Sequence, residues 1–408
     1  MSFPFPLPLV LDGSTGISLY RRGMPQGVCC EDWVLRHPDA LCDLQKAFYE
    51  AGSDAVYAPT FAANRAKLAH YGLDGETARM NRELVALSRS QANGRLVGGD
   101  LTTTGLFIEP FGDATFDEVV DIYREQTQAL AEAGVDFLIA ETMMNLFEVR
   151  AALLAGRETG LPMLVTITVN ERGRTLSGAS TLCCYAVARS LGAAAFGLNC
   201  SFGPERMLGQ LRQIAPYADI PLIAKPNAGM PRADDPLRYD LSAEEMGERV
   251  EALLAAGVQI VGGCCGASPD YIAAIRRTVD RFDFSQARVE KDPDAVLVCD
   301  SADAWFLPAL PEFTDPIECG PDLADDLMEA AESDANAALI DIRSPADAEA
   351  FAESAYLLKL PVAFRACDAA ALERALFQYQ GRAIVDSGSE LEEDALRALA
   401  DRYGAVVY

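Results

Sequence analysis

The segment DEVVDIYREQTQALAEAGVDFLIAET, residues 117–142, carries two periodicities in succession. Val120, Tyr123, Thr127, Leu130 and Ala131 recur at the spacing of one helical face, and Gly134 closes that pattern. DFLIAET (136–142) then runs without strict polar alternation, as suits a parallel strand buried on both faces. The same texture recurs at LVLD (9–12), DAVYAPT (54–60), LVGGDL (96–101), MLVTITV (163–169), AAFGLNC (194–200), PLIAKPN (221–227) and VQIVGGCC (258–265). Eight such units, most followed by an amphipathic helical stretch, predict an α/β fold, a (β/α)8 TIM barrel. An open doubly wound sheet is the alternative, but no Gly-x-Gly-x-x-Gly follows the first strand.

Polar chemistry falls at the ends of these strands: Asp12, Asp100, Glu141, Cys200, Asn227, and Cys264 with Cys265. A barrel builds its active site at the C-terminal rim, so residues about 250 apart in sequence can meet at one mouth. Eleven cysteines, three pairs of them vicinal, do not form a disulfide framework in a chain of 408 residues. A vicinal pair alone is more often inert core, the reading given to Cys29-Cys30 and Cys183-Cys184. Cys264-Cys265 differs, because Gly262, Gly263 and Gly266 allow the backbone to leave regular strand geometry, so that both sulfurs can reach one ion. Cys200 supplies a third thiolate, giving a zinc (Zn2+) site with its fourth position open. With only His37 and His70 present, a histidine-based triad is improbable. Asp12 and Glu141 can bind an ammonium, the turn at Gly13 and Ser14 offers N–H groups to a carboxylate, and Asn227 can bridge either group.

The net charge of −27 argues against nucleic acid or an anionic membrane as partner, and no run of about 18 apolar residues is present. The start, MSFPFPLPLV, lacks a basic n-region and carries three prolines, so a cytoplasmic location is expected. Near Phe282 the texture changes, which places the domains at 1–285 and 295–408. The second has strand-like runs at AVLVCD (295–300), PIECG (316–320), AALIDIR (337–343), YLLKLPV (356–362), RAIVDS (382–387) and the terminal AVVY. A sheet that stops on a strand leaves an edge for another element or a second subunit, a homo-oligomer included.

LDGSTG (11–16), EAGSDAVYAPTF (50–61), GLNCSFGPE (197–205), KPNAGMP (225–231) and GGCCGASPDYI (262–272) together resemble the homocysteine S-methyltransferase family, which includes the homocysteine-binding domain of cobalamin-dependent methionine synthase and betaine–homocysteine methyltransferase. The resemblance covers about the first 280 positions. It implies a zinc barrel with Cys200, Cys264 and Cys265 as ligands, homocysteine contacts from Asp12 and Glu141, and methyl transfer to the homocysteine thiol to give methionine. The methyl donor would be a small molecule or a corrinoid on a separate protein, because no Asp-x-His-x-x-Gly occurs here. A non-catalytic homocysteine- and zinc-binding subunit or sensor is the competing reading. The chain departs from the family at Gly13-Ser14 and at Ala58-Pro59-Thr60-Phe61. The second unit resembles the start of a pterin-binding barrel. Its expected pterin positions read Cys319-Gly320-Pro321-Asp322-Leu323 and Asp341-Ile342-Arg343, so folate chemistry is not expected there.

Overall fold

A computed structural model describes residues 3–408. All eight predicted strands form: β1 (Leu9–Val10), β2 (Ala55–Ala58), β3 (Leu96–Leu101), β4 (Phe137–Met143), β5 (Met163–Ile167), β6 (Ala195–Asn199), β7 (Leu222–Lys225) and β8 (Val258–Val261). They make one parallel sheet in the order β1-β8-β7-β6-β5-β4-β3-β2, the arrangement of the TIM barrel. Alternation along each strand sets the two cores. Leu9, Leu11, Tyr57, Phe137, Ile139, Leu164, Ile223 and Ile260 fill the barrel interior. Val10, Val56, Val97, Leu138 and Val165 face the surrounding helices. Phe3 and Phe5 pack against the interior cluster, with the Phe5 and Phe137 rings 5.8 Å apart, so the apolar start of the chain plugs the floor of the barrel.

The seam between β1 and β2 closes differently. The N–H of Asp54 donates to the Val10 carbonyl (2.7 Å), while carboxylates take two further amides: Asp54 accepts from Val10 N–H (2.7 Å) and Asp12 from Tyr57 N–H (2.9 Å). Side chains thus do at this joint what a ladder does at the others.

The helix predicted around Asp117–Gly134 spans Phe116–Glu132, opened by a reciprocal cap between Thr115 and Glu118. The second unit begins with an antiparallel pair, β9 (Leu297–Cys299) and β10 (Ala304–Phe306), and continues into five parallel strands: β11 (Ile317–Glu318), β12 (Ala338–Ile342), β13 (Val362–Ala366), β14 (Ile384–Val385) and β15 (Val406–Val407). Their spatial order, β11-β12-β13-β14-β15, equals their sequence order, as in the first part of a barrel. The expected run YLLKLPV is strand only from Val362; Ala355–Leu357 form a 3-10 turn ahead of Pro361.

The two units share a buried boundary. Arg150, on the helix Leu146–Gly156, donates to the carbonyls of Gly381 and Leu376, both at 3.0 Å. Arg374 pairs with Asp117 at 2.9 Å, and Phe116 meets Phe377 with ring centroids 5.1 Å apart. Cys183 and Cys184 are buried, as expected of core cysteines, beside the equally buried Cys299.

Candidate metal and thiol site

The sulfurs of Cys200, Cys264 and Cys265 lie within 4.8 Å of one another, the Cys200 and Cys265 Sγ atoms 3.9 Å apart. Two thiolates on one tetrahedral zinc, each at roughly 2.3 Å, stand about 3.8 Å from each other, so this spacing fits the ion. The backbone explains the convergence. Cys200 and Ser201 adopt φ of 58° and 59°, a left-handed turn that non-glycine residues seldom take, and it swings the Cys200 sulfur across the mouth. After β8, Cys264 N–H donates to the Pro226 carbonyl (2.8 Å) and Cys265 N–H to Asn227 Oδ1 (3.1 Å), which break the strand pattern and turn both sulfurs to one side. Asn227 therefore orients a ligand loop. Asn199 Nδ2 approaches Cys264 Sγ at 3.7 Å and Thr142 Oγ1 at 2.6 Å, with Thr142 itself at φ 59°.

Hydrogen bonds from Cys264 and Cys265 pull the Cys200 thiol down to about 3, with further help from the Ser201 N–H and Asn227, against the opposing effect of burial. The same sharing pushes Cys265 up to about 11, chiefly through its bond to Cys200, and raises Cys264 well above the ordinary thiol range. A cation bound among the three sulfurs would favour the thiolate form of each. The Tyr239 ring lies over Gly266, where a Cβ would come within 2.4 Å of it, and burial followed by the neighbouring Cys265 raises its phenol.

The carboxylates sit deeper. Glu141 lies on β4 and Asp12 just beyond β1; Lys225, the last residue of β7, reaches both, with Nζ 2.8 Å from Glu141 Oε2 and 3.3 Å from Asp12 Oδ1. Nζ also lies 3.7 Å from the centroid of the Tyr57 ring. Burial opposes the Lys225 ammonium, but Glu141, Tyr57 and Asp12 outweigh it and raise its pKa well above the usual value. Burial raises Asp12 to about 6, against the pull of Lys225 and the Tyr57 N–H. Asp100 is raised well above the carboxylate range, first by burial and then by Glu141.

At the amide turn, Ser14 N–H donates to the Ala267 carbonyl (2.9 Å), and a Cβ on Gly13 would come within 2.2 Å of that same oxygen. Gly13 and Ser14 thus dock the end of β1 onto the loop that carries Cys264 and Cys265. Sequence reading assigned no role to Lys225, Tyr57, Tyr239 or Asn199. The signal for Lys225 was available: it has the strand parity of Ile223, which points into the barrel, and a lysine on that face needs partners.

The chain is 30% identical over 259 residues to a methionine synthase of Mycobacterium leprae, an alignment that takes in 60% of this chain and 21% of the relative. It is 28% identical over 306 residues to the methionine synthase of Mycobacterium tuberculosis, covering 70% of this chain and 26% of that one. It therefore spans only about a fifth to a quarter of the length of these relatives. Two crystal structures of the homocysteine methyltransferase MmuM from Escherichia coli share the barrel. The metallated form has a TM-score of 0.56 at 22% identity and the oxidized form 0.57 at 20%, each covering 66% of this chain and 95% of MmuM. A family model described as homocysteine S-methyltransferase matches residues 9–279, well over half of the chain, which thus belongs to the homocysteine S-methyltransferase family.

Proposed function

We propose that this protein methylates the thiol of homocysteine to form methionine, with zinc held by Cys200, Cys264 and Cys265. The observation that carries this reading is the convergence of three sulfurs within 4.8 Å at the mouth of a barrel of this family. Zinc bound there would deprotonate an incoming thiol and keep it nucleophilic at neutral pH. The protein's own groups prepare the rest. Asn227 and Asn199 fix the two cysteine-bearing loops, and Glu141 presents a carboxylate toward the mouth for the acceptor's ammonium. The methyl donor is a small molecule or a methylcorrinoid on a separate protein, and reduced thiols of this kind suit the cytoplasm.

Metal analysis of the purified chain is expected to give about one zinc per molecule, with loss of zinc and of methionine formation together in Cys200→Ser and Cys265→Ser. Replacing sulfur by oxygen removes a soft ligand and a charge that offsets the cation. Methylcobalamin, S-methylmethionine and betaine, offered separately, identify the donor. Stoichiometric zinc in both variants would sink the assignment.

A further inference from the structure

Lys225 occupies the place where an acceptor's ammonium is expected. Its side chain is 2% exposed, and so is that of Asp12. Asp12 uses one oxygen on Lys225 Nζ and the other on the Tyr57 N–H, so neither is turned to the mouth. Glu141 gives Oε2 to Lys225; its Oε1 meets no protein donor among the described residues, and at 11% side-chain exposure it is the carboxylate oxygen left for a ligand. Two carboxylates and one ammonium leave this cage with one net negative charge, where the carboxylates alone would carry two. An acceptor with an α-ammonium therefore gains a single carboxylate oxygen and meets the repulsion of a resident cation. An acceptor without one leaves no carboxylate of Asp12 stranded, because Lys225 already satisfies it.

We propose that Lys225 is a specificity-determining residue, a resident ammonium through which the site takes ω-mercapto carboxylates lacking an α-amino group as well as homocysteine. The inference rests on the thiol-acceptor reading above, and it concerns which thiols bind.

The test is calorimetric titration of the zinc-loaded full chain with homocysteine and with 4-mercaptobutanoate, which differ only in the amino group. A charge-assisted hydrogen bond changes affinity by about tenfold or more, so two carboxylates devoted to the ligand would make the amino group worth about a hundredfold or more. The wild-type chain is expected to bind the two thiols within about tenfold of each other. Lys225→Met, which returns Asp12 and Glu141 to the ligand, is expected to widen the preference for homocysteine to about a hundredfold. A wild-type preference of a hundredfold overturns the proposal while leaving the acceptor reading intact, as does an unchanged ratio in a folded, zinc-loaded Lys225→Met. If that variant does not fold, the wild-type ratio decides alone. Binding of neither thiol overturns both readings together.

Discussion

Asp12 shows how burial turns one side chain into a pH-dependent component of the fold. Its carboxyl is raised to about 6 chiefly by burial, above the 3.8 of an exposed aspartate. A folded-state value above the unfolded one means that the native chain holds the proton more tightly. The associated stability is therefore complete below pH 3.8 and is lost as pH rises through about 6. Asp12→Asn, which stays neutral, escapes that loss. Urea unfolding at pH 4 and at pH 7.5 is expected to show the wild type losing about 2.5 kcal/mol relative to Asp12→Asn between the two. An unchanged difference would mean that Asp12 ionises as freely in the barrel as in water. At this scale the sequence was legible where chemistry is local. The Gly-Gly-Cys-Cys-Gly run announces a bent backbone carrying two sulfurs, and the sulfurs do converge with Cys200. It was opaque where roles depend on a partner far along the chain. Nothing in Lys225-Pro226-Asn227 says that the lysine reaches Glu141, 84 positions away.

Among the elements, the helix Leu146–Gly156 is the most constrained. All but one of its residues are buried, Arg150 included, because it is covered by the barrel on one side and by the second unit on the other. Its pattern has no polar stripe for the same reason. Burial lowers the Arg150 guanidinium to about 10, and backbone carbonyls, not a carboxylate, receive its N–H groups. Arg150→Met keeps the volume but strands the carbonyls of Gly381 and Leu376. Equilibrium denaturation is expected to show a loss of about 3 kcal/mol; a loss under 1 kcal/mol would mean that water replaces the guanidinium. The strands were the most readable elements, since parallel strands buried on both faces leave unbroken apolar runs. The three-residue β10 was not, because Ala304–Phe306 is half exposed and its ladder runs to a single neighbour, the antiparallel β9.

For the molecule as a whole, the second unit is fastened to the flank of the barrel through Arg150, Arg374 and the Cys183–Cys299 contact. Between the two runs an apolar cleft of about 550 Å³, bordered by Phe111, Leu176, Tyr356 and Tyr379. The sequence suggested an assembly or docking role for this unit; its packing adds a stabilising one. A chain ending at residue 290 would uncover the helix Leu146–Gly156 and the buried Cys183. Scanning calorimetry is expected to place its melting temperature more than about 5 °C below that of the full chain, with the metal site still able to bind zinc. Equal melting temperatures would show that the barrel does not depend on its neighbour. The break in texture near Phe282 was legible because charged, irregular sequence cannot be core. How the units meet was not, since burial of Arg150 is decided by residues more than 220 positions away.

The seam between β1 and β2 gives the barrel a property that a continuous ladder would lack. A cylinder of eight staves is held here at one joint by carboxylates, and the group that clasps the Tyr57 amide is the same Asp12 that counterbalances Lys225. The hoop and the lock on the mouth are therefore one side chain. Whatever displaces the Asp12 carboxyl slackens the cylinder where its first stave meets its second, and whatever forces those staves apart disturbs the charge that an arriving thiol will encounter.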